Sequence, residues 1–431
     1  MPQISGNRTF ANSLGEKQIG EYVTFAGWIV DISHIGKIGF LKMRDMTGLA
    51  QGIATGSILD KIKEISRQSS VTVCGVIAKT KAKNLSVEIN IKEITVTGRA
   101  TQPLPIDPTG RLESSLDKRL DCRALDLRNE DVSNLFKIRS EALHVIRKVL
   151  RSRMFIEVQT PKIIGSATEG GANLFEFEYF KKRAFLAQSP QLYKEELVLG
   201  LERVFEIAPY FRAESSHTVR HLSEFISIDL EAAYLDYEDI IDLVEVLVLS
   251  TLAELSARFP GKIIDFGELQ KKGSSAKIPR LTYEKCIQEL RDTGDQVEFG
   301  DDLSDLALRK LGGLHRGLYF IIDWPTNLKP FYIMEHEENK LLSKSFDLQY
   351  GYLELVSGGS REHNHEKLES KMIDQGLNPK SFHYHLKTFD WGMPPHSGCG
   401  IGLDRLMMML ASTDNIREVV LFPRDTDRLT P

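Results

Sequence analysis

Gly398-Cys399-Gly400-Ile401-Gly402-Leu403-Asp404-Arg405, running into the apolar stretch Leu406 to Leu410, reads as a glycine-punctuated strand entering a helix. Two upstream segments give it meaning. Phe211-Arg212-Ala213-Glu214 holds an Arg-x-Glu pair, and Glu354 to Arg361 (ELVSGGSR) joins a glutamate to a Ser-Gly-Gly-x-Arg tail. Arginine offers a fixed fork to phosphate or carboxylate. Glycine lets a bulky ligand come close to the backbone, and a carboxylate can hold magnesium. Together the three segments describe a nucleotide site with neither a Walker loop nor a dinucleotide fingerprint.

Alternation extends the pattern. In a strand from Val204 to Glu214, the residues Glu206, Ala208, Tyr210, Arg212 and Glu214 share a face. In Glu224 to Ala232, Phe225, Ser227, Asp229 and Glu231 face one way, and Ile226, Ile228, Leu230 and Ala232 the other. An apolar back with a front of one aromatic, one hydroxyl and two carboxylates is a costly core but a sensible ligand floor. Taken singly, Arg212 and Glu214 would also suit a surface ion pair, and Glu354 a solvated strand carboxylate.

Composition bounds the rest. A length of 431 residues allows two or three domains, and 42% hydrophobic with 27% charged residues is ordinary for a soluble enzyme. The start, Met1-Pro2-Gln3-Ile4-Ser5, lacks a signal-peptide pattern. No apolar run suits a membrane helix, so no membrane partner is expected. Cys74, Cys122, Cys286 and Cys399 have no paired spacing, which fits a reducing cytoplasm rather than a disulfide framework or zinc knuckle. The net charge of −5 leaves any RNA contact to local patches.

Closely spaced short strands are expected at Tyr22 to Val30, Gly39 to Arg44, Gly48 to Ile53, Val71 to Ile77 and Ser86 to Val96, with a helix near Ser57 to Ser66. They suggest a five-stranded OB-type barrel, which binds single-stranded nucleic acid through aromatic and basic residues. The prolines Pro103, Pro105 and Pro108 and a charged stretch read as a hinge. Leu135, Ile138, Leu143, Ile146 and Leu150 then recur at helical spacing. Between Asp236 and Lys329, helices and a Gly-rich turn at Gly312-Gly313 are expected. The expected fold class is α+β: an OB-fold barrel over residues 1–105, a hinge over 106–130, and a catalytic domain over 131–431 with an antiparallel sheet flanked by helices.

These segments resemble motifs 2 and 3 of the class II aminoacyl-tRNA synthetases (subclass IIb), and more narrowly the archaeal-type aspartyl enzymes. The resemblance runs from about Glu21 to Pro431, including the ending Leu421-Phe422-Pro423-Arg424-Asp425 and Arg428 to Pro431. It puts motif 1 at about 135–161, motif 2 at about 204–232 and motif 3 at about 396–410. It implies ATP and L-aspartate as substrates, magnesium as cofactor, and tRNA(Asp) as acceptor. Arg212 would hold the α-phosphate and the activated carboxylate, Glu214 the adenine amino group, and Arg220 and His221, with Leu222 beside them, the phosphates. Adenine would stack on Phe225, and Arg405 would take the γ-phosphate next to Gly402, Leu403 and Asp404. Asp229, and Glu169 in the loop Ser166 to Gly171, would meet the substrate ammonium. Magnesium would fall to Glu354, Ser357 and Asp347. Strict alternation separates Glu354 from Ser357, so both reach one ion only if the chain bulges near Ser357-Gly358-Gly359. Thr160-Pro161 matches a twofold interface, which implies a homodimer.

Amino-acid choice, by the same resemblance, rests on Gln191, Lys194 and Arg361. The physics is separable from the likeness. Aspartate and asparagine are nearly isosteric, so shape discriminates poorly. Two desolvated cations do better, because a neutral amide leaves them unpaired at roughly 2–5 kcal/mol, or about two to four decades of selectivity.

In the barrel, Phe40 and Gln51 match an aromatic and an amide that stack on and read the central anticodon base. The arginine that bacterial and fungal relatives carry eight residues before that aromatic is Ile32 here. Positions associated with rejecting tRNA(Asn) are Val30 and Asn84, where a tryptophan and a lysine would be needed. The expected activity is aspartate–tRNA ligation with a relaxed range, covering tRNA(Asp) and tRNA(Asn). The rivals are an enzyme restricted to tRNA(Asp), an asparaginyl enzyme, a catalytically dead nucleic-acid-binding paralogue, and a synthetase-derived amidotransferase or asparagine synthetase.

Overall fold

The structure, a computed structural model, describes residues 8–80, 85–165, 174–214, 218–264 and 277–431; Asn84 and Glu169 lie outside these. The chain divides into two units, Met1–Asn129 and Glu130–Pro431.

In the first unit the strands are β1 (Arg8–Thr9), β2 (Tyr22–Ile35), β3 (Ile38–Arg44), β4 (Leu49–Thr55), β5 (Ser70–Lys79) and β6 (Val87–Gly98). Their order β1-β2-β3-β4-β6-β5 closes through a β2–β5 pairing into a barrel. Alternation is the cause: Phe25, Ile29, Leu41, Met43, Ala54, Val71, Val73 and Ile89 point inward and are fully buried. Helix Ser57–Lys63 plugs one opening with Ile58, Leu59 and Ile62. The first long strand runs five residues past its expected end. A β-bulge allows this, since Ile29 pairs with Met43 and Asp31 with Lys42, leaving Val30 as the extra residue. The stretch expected to be a bare hinge holds two short helices, Leu116–Asp121 and Arg123–Asp126. They are pinned where the buried Asp126 receives Arg123 at 2.7 Å and Arg119 at 3.0 Å.

The second unit is built on eight strands in the order β13-β14-β15-β16-β17-β12-β11-β7. These are β7 (Ile156–Glu157), β11 (Arg203–Phe211), β12 (Glu224–Ala233), β13 (Arg280–Thr282), β14 (Leu318–Ile322), β15 (Ser345–Tyr350), β16 (Leu353–Ser360) and β17 (His396–Gly402). A small sheet of β8 (Ile163–Ile164), β9 (Glu176–Tyr179) and β10 (Lys182–Leu186) stands apart. The centre of the large sheet is antiparallel, and the edge pairs β13–β14 and β7–β11 are parallel, so the sheet is mixed.

One face of this sheet is apolar. Ile228, Leu230, Phe346, Leu348, Val356, Cys399 and Ile401 pack there with helices Glu130–Ser152, Tyr237–Arg258 and Leu403–Ala411. The other face is partly covered by helices Gln191–Leu201, His365–Asp374 and His383–Phe389, whose apolar residues form a separate cluster with Phe331, Tyr332 and Ile333. The gap in that cover leaves the front of β12, β16 and β17 accessible. Gly312 and Gly313 correct one expectation. They lie inside helix Asp305–Leu314, not in a turn, and a Cβ on Gly312 would sit 2.6 Å from the Gly351 carbonyl carbon.

Candidate active site

The floor is a single row across five strands. Glu206 of β11 pairs with Asp229 of β12, Asp229 with Gly400 of β17, Gly400 with Ser357 of β16, and Ser357 with Asp347 of β15. Side chains directly opposite one another share a face, so polar groups from the whole row look forward. Above it lies a cavity of about 390 Å³, in the size range of small-molecule sites.

Glu354 joins this face by a bulge, though not where the glycines suggested. Gln349 pairs with Glu354 and Leu348 with Val356, which makes Leu355 the extra residue. Leu355 and Val356 are both buried in the main core. Glu354 and Ser357 are thereby brought to one side, and both line the cavity.

At one end of the cavity four charges are buried together. Lys194, in the first turn of helix Gln191–Leu201, and Arg361, just beyond β16, are each only 3% exposed. Lys194 Nζ lies 3.2 Å from Asp229 Oδ1, 3.4 Å from Glu231 Oε2 and 3.2 Å from the Cys399 carbonyl. Arg361 grips Glu231 through Nε at 2.9 Å and Nη2 at 3.2 Å, with its guanidinium 5.4 Å from the Tyr332 ring. Burial works against the Arg361 charge, but the Glu231 carboxylate outweighs it and holds the guanidinium above its ordinary pKa. This arrangement requires glycine behind it. A Cβ on Gly398 would fall 2.1 Å from Glu231 Oε2, and one on Gly400 3.2 Å from Asp229 Oδ1. Gln191 also lines this end.

At the other end the groups are more open. Arg212 follows β11, its backbone N–H still bonded to the Ser223 carbonyl at 2.9 Å. Its guanidinium is 3.9 Å from Glu214 and 5.5 Å from the Phe225 ring. Arg405, in the first turn of helix Leu403–Ala411, meets Glu354 Oε1 at 3.5 Å and His221 Nε2 at 3.3 Å. Burial and the Arg405 charge push the His221 pKa down, which favours neutral imidazole beside the arginines. Arg220 pairs with Asp305, with its guanidinium 5.1 Å from the Tyr352 ring. Leu222 lines the cavity, as do Arg220, His221 and Gly402.

Three residues of the expected nucleotide and metal set have other partners, and of the three Asp404 alone also lines the cavity. Leu403 is fully buried in the main core. Asp404 accepts from the Ile226 N–H at 3.0 Å and pairs with Arg139 at 2.6 Å, so it fastens helix Glu130–Ser152 to β12. Asp347 receives Lys329 Nζ at 2.9 and 3.2 Å, and Lys329 itself lines the cavity. Lys329 and Tyr332 carried no expected role, and Glu231 only that of one carboxylate in the ligand floor. Alternation had already put Glu231 on the front of β12; what it lacked was the pairing with Arg361 across the sheet.

Among the described residues, no group of three or more His, Cys, Asp or Glu could hold a metal ion. Glu354 still suits a cation. Burial and the nearby Asp347 charge raise its carboxyl pKa, against the pull of Arg405, Lys329 and Arg212. Added positive charge there would relieve both effects.

On the barrel, Phe40 pairs with Ile53 and Gln51 with Lys42, which puts Phe40 and Gln51 diagonally on the outer face. Gln51 Nε2 donates to Glu88 Oε2 at 2.9 Å, an acceptor that also takes Thr80 Oγ1 at 2.8 Å. Val30 occupies the β2 bulge.

A family model described as tRNA synthetases class II (D, K and N) matches residues 115–426, and one described as an OB-fold nucleic acid binding domain matches residues 23–97. The chain is 44% identical over 418 residues to an aspartate–tRNA(Asp/Asn) ligase of Sulfurisphaera tokodaii, with 96% of each chain covered. It is 42% identical over 435 residues to an aspartate–tRNA(Asp) ligase of Pyrococcus horikoshii, covering 98% of this chain and 99% of the relative. Among solved structures, an asparaginyl-tRNA synthetase of Pyrococcus horikoshii complexed with asparaginyl-adenylate aligns with a TM-score of 0.90 at 30% identity, covering 98% and 99% of the two chains. An aspartyl tRNA synthetase of Entamoeba histolytica aligns with a TM-score of 0.85 at 30% identity, covering 98% and 93%. With the nucleotide-type cavity on a mixed sheet and the separate OB barrel, these matches show that the chain belongs to the class II tRNA synthetases of the D, K and N group.

Proposed function

We propose that this synthetase is an aspartate–tRNA ligase that charges both tRNA(Asp) and tRNA(Asn). The observation that carries the amino-acid assignment is the buried quartet Lys194, Arg361, Asp229 and Glu231. Aspartate adds an ammonium for Asp229 and a carboxylate for Lys194 and Arg361, so the charges stay matched as the ligand replaces water. Asparagine supplies the ammonium alone, and its amide leaves cationic groups underpaired. The fold does not make this choice, since an asparaginyl enzyme aligns along nearly the whole chain.

In the first reaction an oxygen of the aspartate α-carboxylate attacks the ATP α-phosphorus. The bond to the bridging oxygen of the β-phosphate breaks, giving aspartyl-adenylate and pyrophosphate. Arg212 is assigned to the point where α-phosphate and α-carboxylate meet, and neutralises charge developing on the phosphoryl oxygens. Arg405 anchors the outgoing phosphates at the helix start. Phe225 and Glu214 hold the adenine, the first by stacking and the second by accepting from the exocyclic amine. Glu354 and Ser357 are the residues that would hold magnesium, whose chemistry when bound is to offset phosphate charge. In the second reaction a terminal ribose hydroxyl of tRNA attacks the activated carbonyl, and AMP leaves. No protein nucleophile is needed; catalysis is positioning and charge neutralisation.

Phe40 and Gln51 are assigned to the anticodon, and Val30 to the absence of a barrier against tRNA(Asn). Relatives of similar identity carry both names, aspartate–tRNA(Asp/Asn) ligase and aspartate–tRNA(Asp) ligase, so overall similarity does not decide the range. A homodimer is proposed from the exposed apolar residues Met154, Ile156, Ile163, Tyr179 and Phe180 around β7 and the small sheet. No helix among the described residues is long and apolar enough to cross a membrane; the cytoplasm is proposed as the site of action.

The test is aminoacylation of the two purified tRNA transcripts with labelled aspartate. Charging of both supports the reading. Charging of tRNA(Asp) alone would restrict the range, and charging with asparagine in preference to aspartate would overturn the assignment.

A further inference from the structure

Behind the amino-acid end of the cavity lies a second ionic cluster that the reaction, as described, does not use. Glu195 is fully buried one residue after Lys194. Its Oε2 lies 3.5 Å from His385 Nε2 and 3.7 Å from His396 Nε2, and its Oε1 accepts from the side-chain amide of Gln191, one turn earlier on the same helix. His396 Nδ1 donates to the Pro394 carbonyl at 2.8 Å, which turns Nε2 toward Glu195. His385 is 2% exposed, with Nδ1 3.4 Å from the partly exposed Glu196 and its ring 5.0 Å from that of Phe389. The neighbouring helix His365–Asp374 brings only Leu368 and Met372 to the same apolar cluster.

We propose that Glu195, which faces the ring nitrogens of His385 and His396, is a positioning residue for Gln191, and that protonated His385 balances Glu195 so that the pocket accepts a ligand with a second carboxylate. The inference rests on the aspartate reading above. The charge count carries it. Lys194 and Arg361 give two buried positive charges, while Asp229, Glu231 and Glu195 give three negative ones. One more positive charge makes the empty pocket neutral, and aspartate's ammonium and side-chain carboxylate keep it so. Without that charge, the pocket repels the side-chain carboxylate and loses part of its preference over asparagine. Burial disfavours the His385 cation, but Glu195 and Glu196 raise its pKa to about 9. Glu195 also acts on the Arg361 guanidinium, so the two clusters are electrostatically joined.

The experiment is ATP–pyrophosphate exchange by the full-length enzyme, with KM for aspartate, asparagine and ATP measured separately from pH 6.5 to about 9.5, a range that spans the His385 transition. For the wild type, KM counted on the ammonium form of aspartate should climb at the alkaline end while KM for ATP stays within about twofold. His385→Phe should raise KM for aspartate about tenfold near pH 7 and remove the alkaline climb. Glu195→Gln/His385→Phe removes both charges and should recover to within about threefold of wild type. A double variant no better than His385→Phe, or ATP and aspartate constants that move together, would overturn the inference. The wild-type pH profile decides the matter even if a variant does not fold, since an aspartate KM that, counted on the ammonium form, stays flat to the alkaline limit also overturns it. Wild-type enzyme that exchanges no pyrophosphate with aspartate would instead sink the substrate assignment.

Discussion

Arg361 and Glu231 show what a single buried contact does here. Removing the guanidinium leaves a fully buried carboxylate with only the more distant Lys194, so Arg361→Ala should lower stability by about 3–5 kcal/mol as well as abolish aspartate activation. Chemical denaturation of the wild type and the variant checks it; an unchanged midpoint would contradict the description of the quartet. His385 gives a pH-dependent counterpart. Its folded pKa of about 9 lies above the ordinary value of 6.5, so the native state holds the proton more tightly than the unfolded chain. Its stabilisation is complete below about 6.5 and is lost as pH rises through about 9. Thermal midpoints should therefore fall over that window in the wild type and fall less in His385→Phe. Lys194 and Arg361 were marked in the sequence by their resemblance to positions of the aspartyl enzymes. Glu195 was not, because nothing in Gln188 to Lys194 shows that residues some two hundred positions later surround it.

Strand periodicity foretold the five long strands of the barrel and the strands β11 and β12. The apolar back and polar front of β12 follow directly from alternation, and so do the inward residues of the barrel. The misplaced features are those where alternation breaks. The bulges at Val30 and Leu355 insert one residue without a composition signal, since both are ordinary apolar strand residues. Gly312-Gly313 looks like a turn but continues a helix; the Gly351 backbone packs where a side chain on Gly312 would stand, whereas Gly313 faces open space. The same close packing makes Gly398 a sensitive position. Gly398→Ala would drive a methyl into Glu231 within β17, so pyrophosphate exchange should fall at least about tenfold with a lowered thermal midpoint. Wild-type exchange in Gly398→Ala would show that Glu231 has room the structure does not give it.

At the scale of the whole molecule, amino-acid activation is assigned to the second unit and the reading of the anticodon to the first. Phe40 is expected to stack on a base at roughly 1–3 kcal/mol, so Phe40→Ala should weaken tRNA charging about 5- to 150-fold while leaving tRNA-independent exchange intact. Loss of exchange in that variant would contradict the division of labour. Within the catalytic unit, the central claim is that buried Lys194 and Arg361 read a carboxylate on the amino-acid side chain. The most direct test compares aspartate with asparagine in ATP–pyrophosphate exchange, for the wild type and Lys194→Ala. Exchange with aspartate, near-background exchange with asparagine, and loss of aspartate activation by about two decades or more in the variant are expected if that claim holds. Comparable wild-type activity with both amino acids, or aspartate activation in Lys194→Ala within a few-fold of wild type, would contradict it.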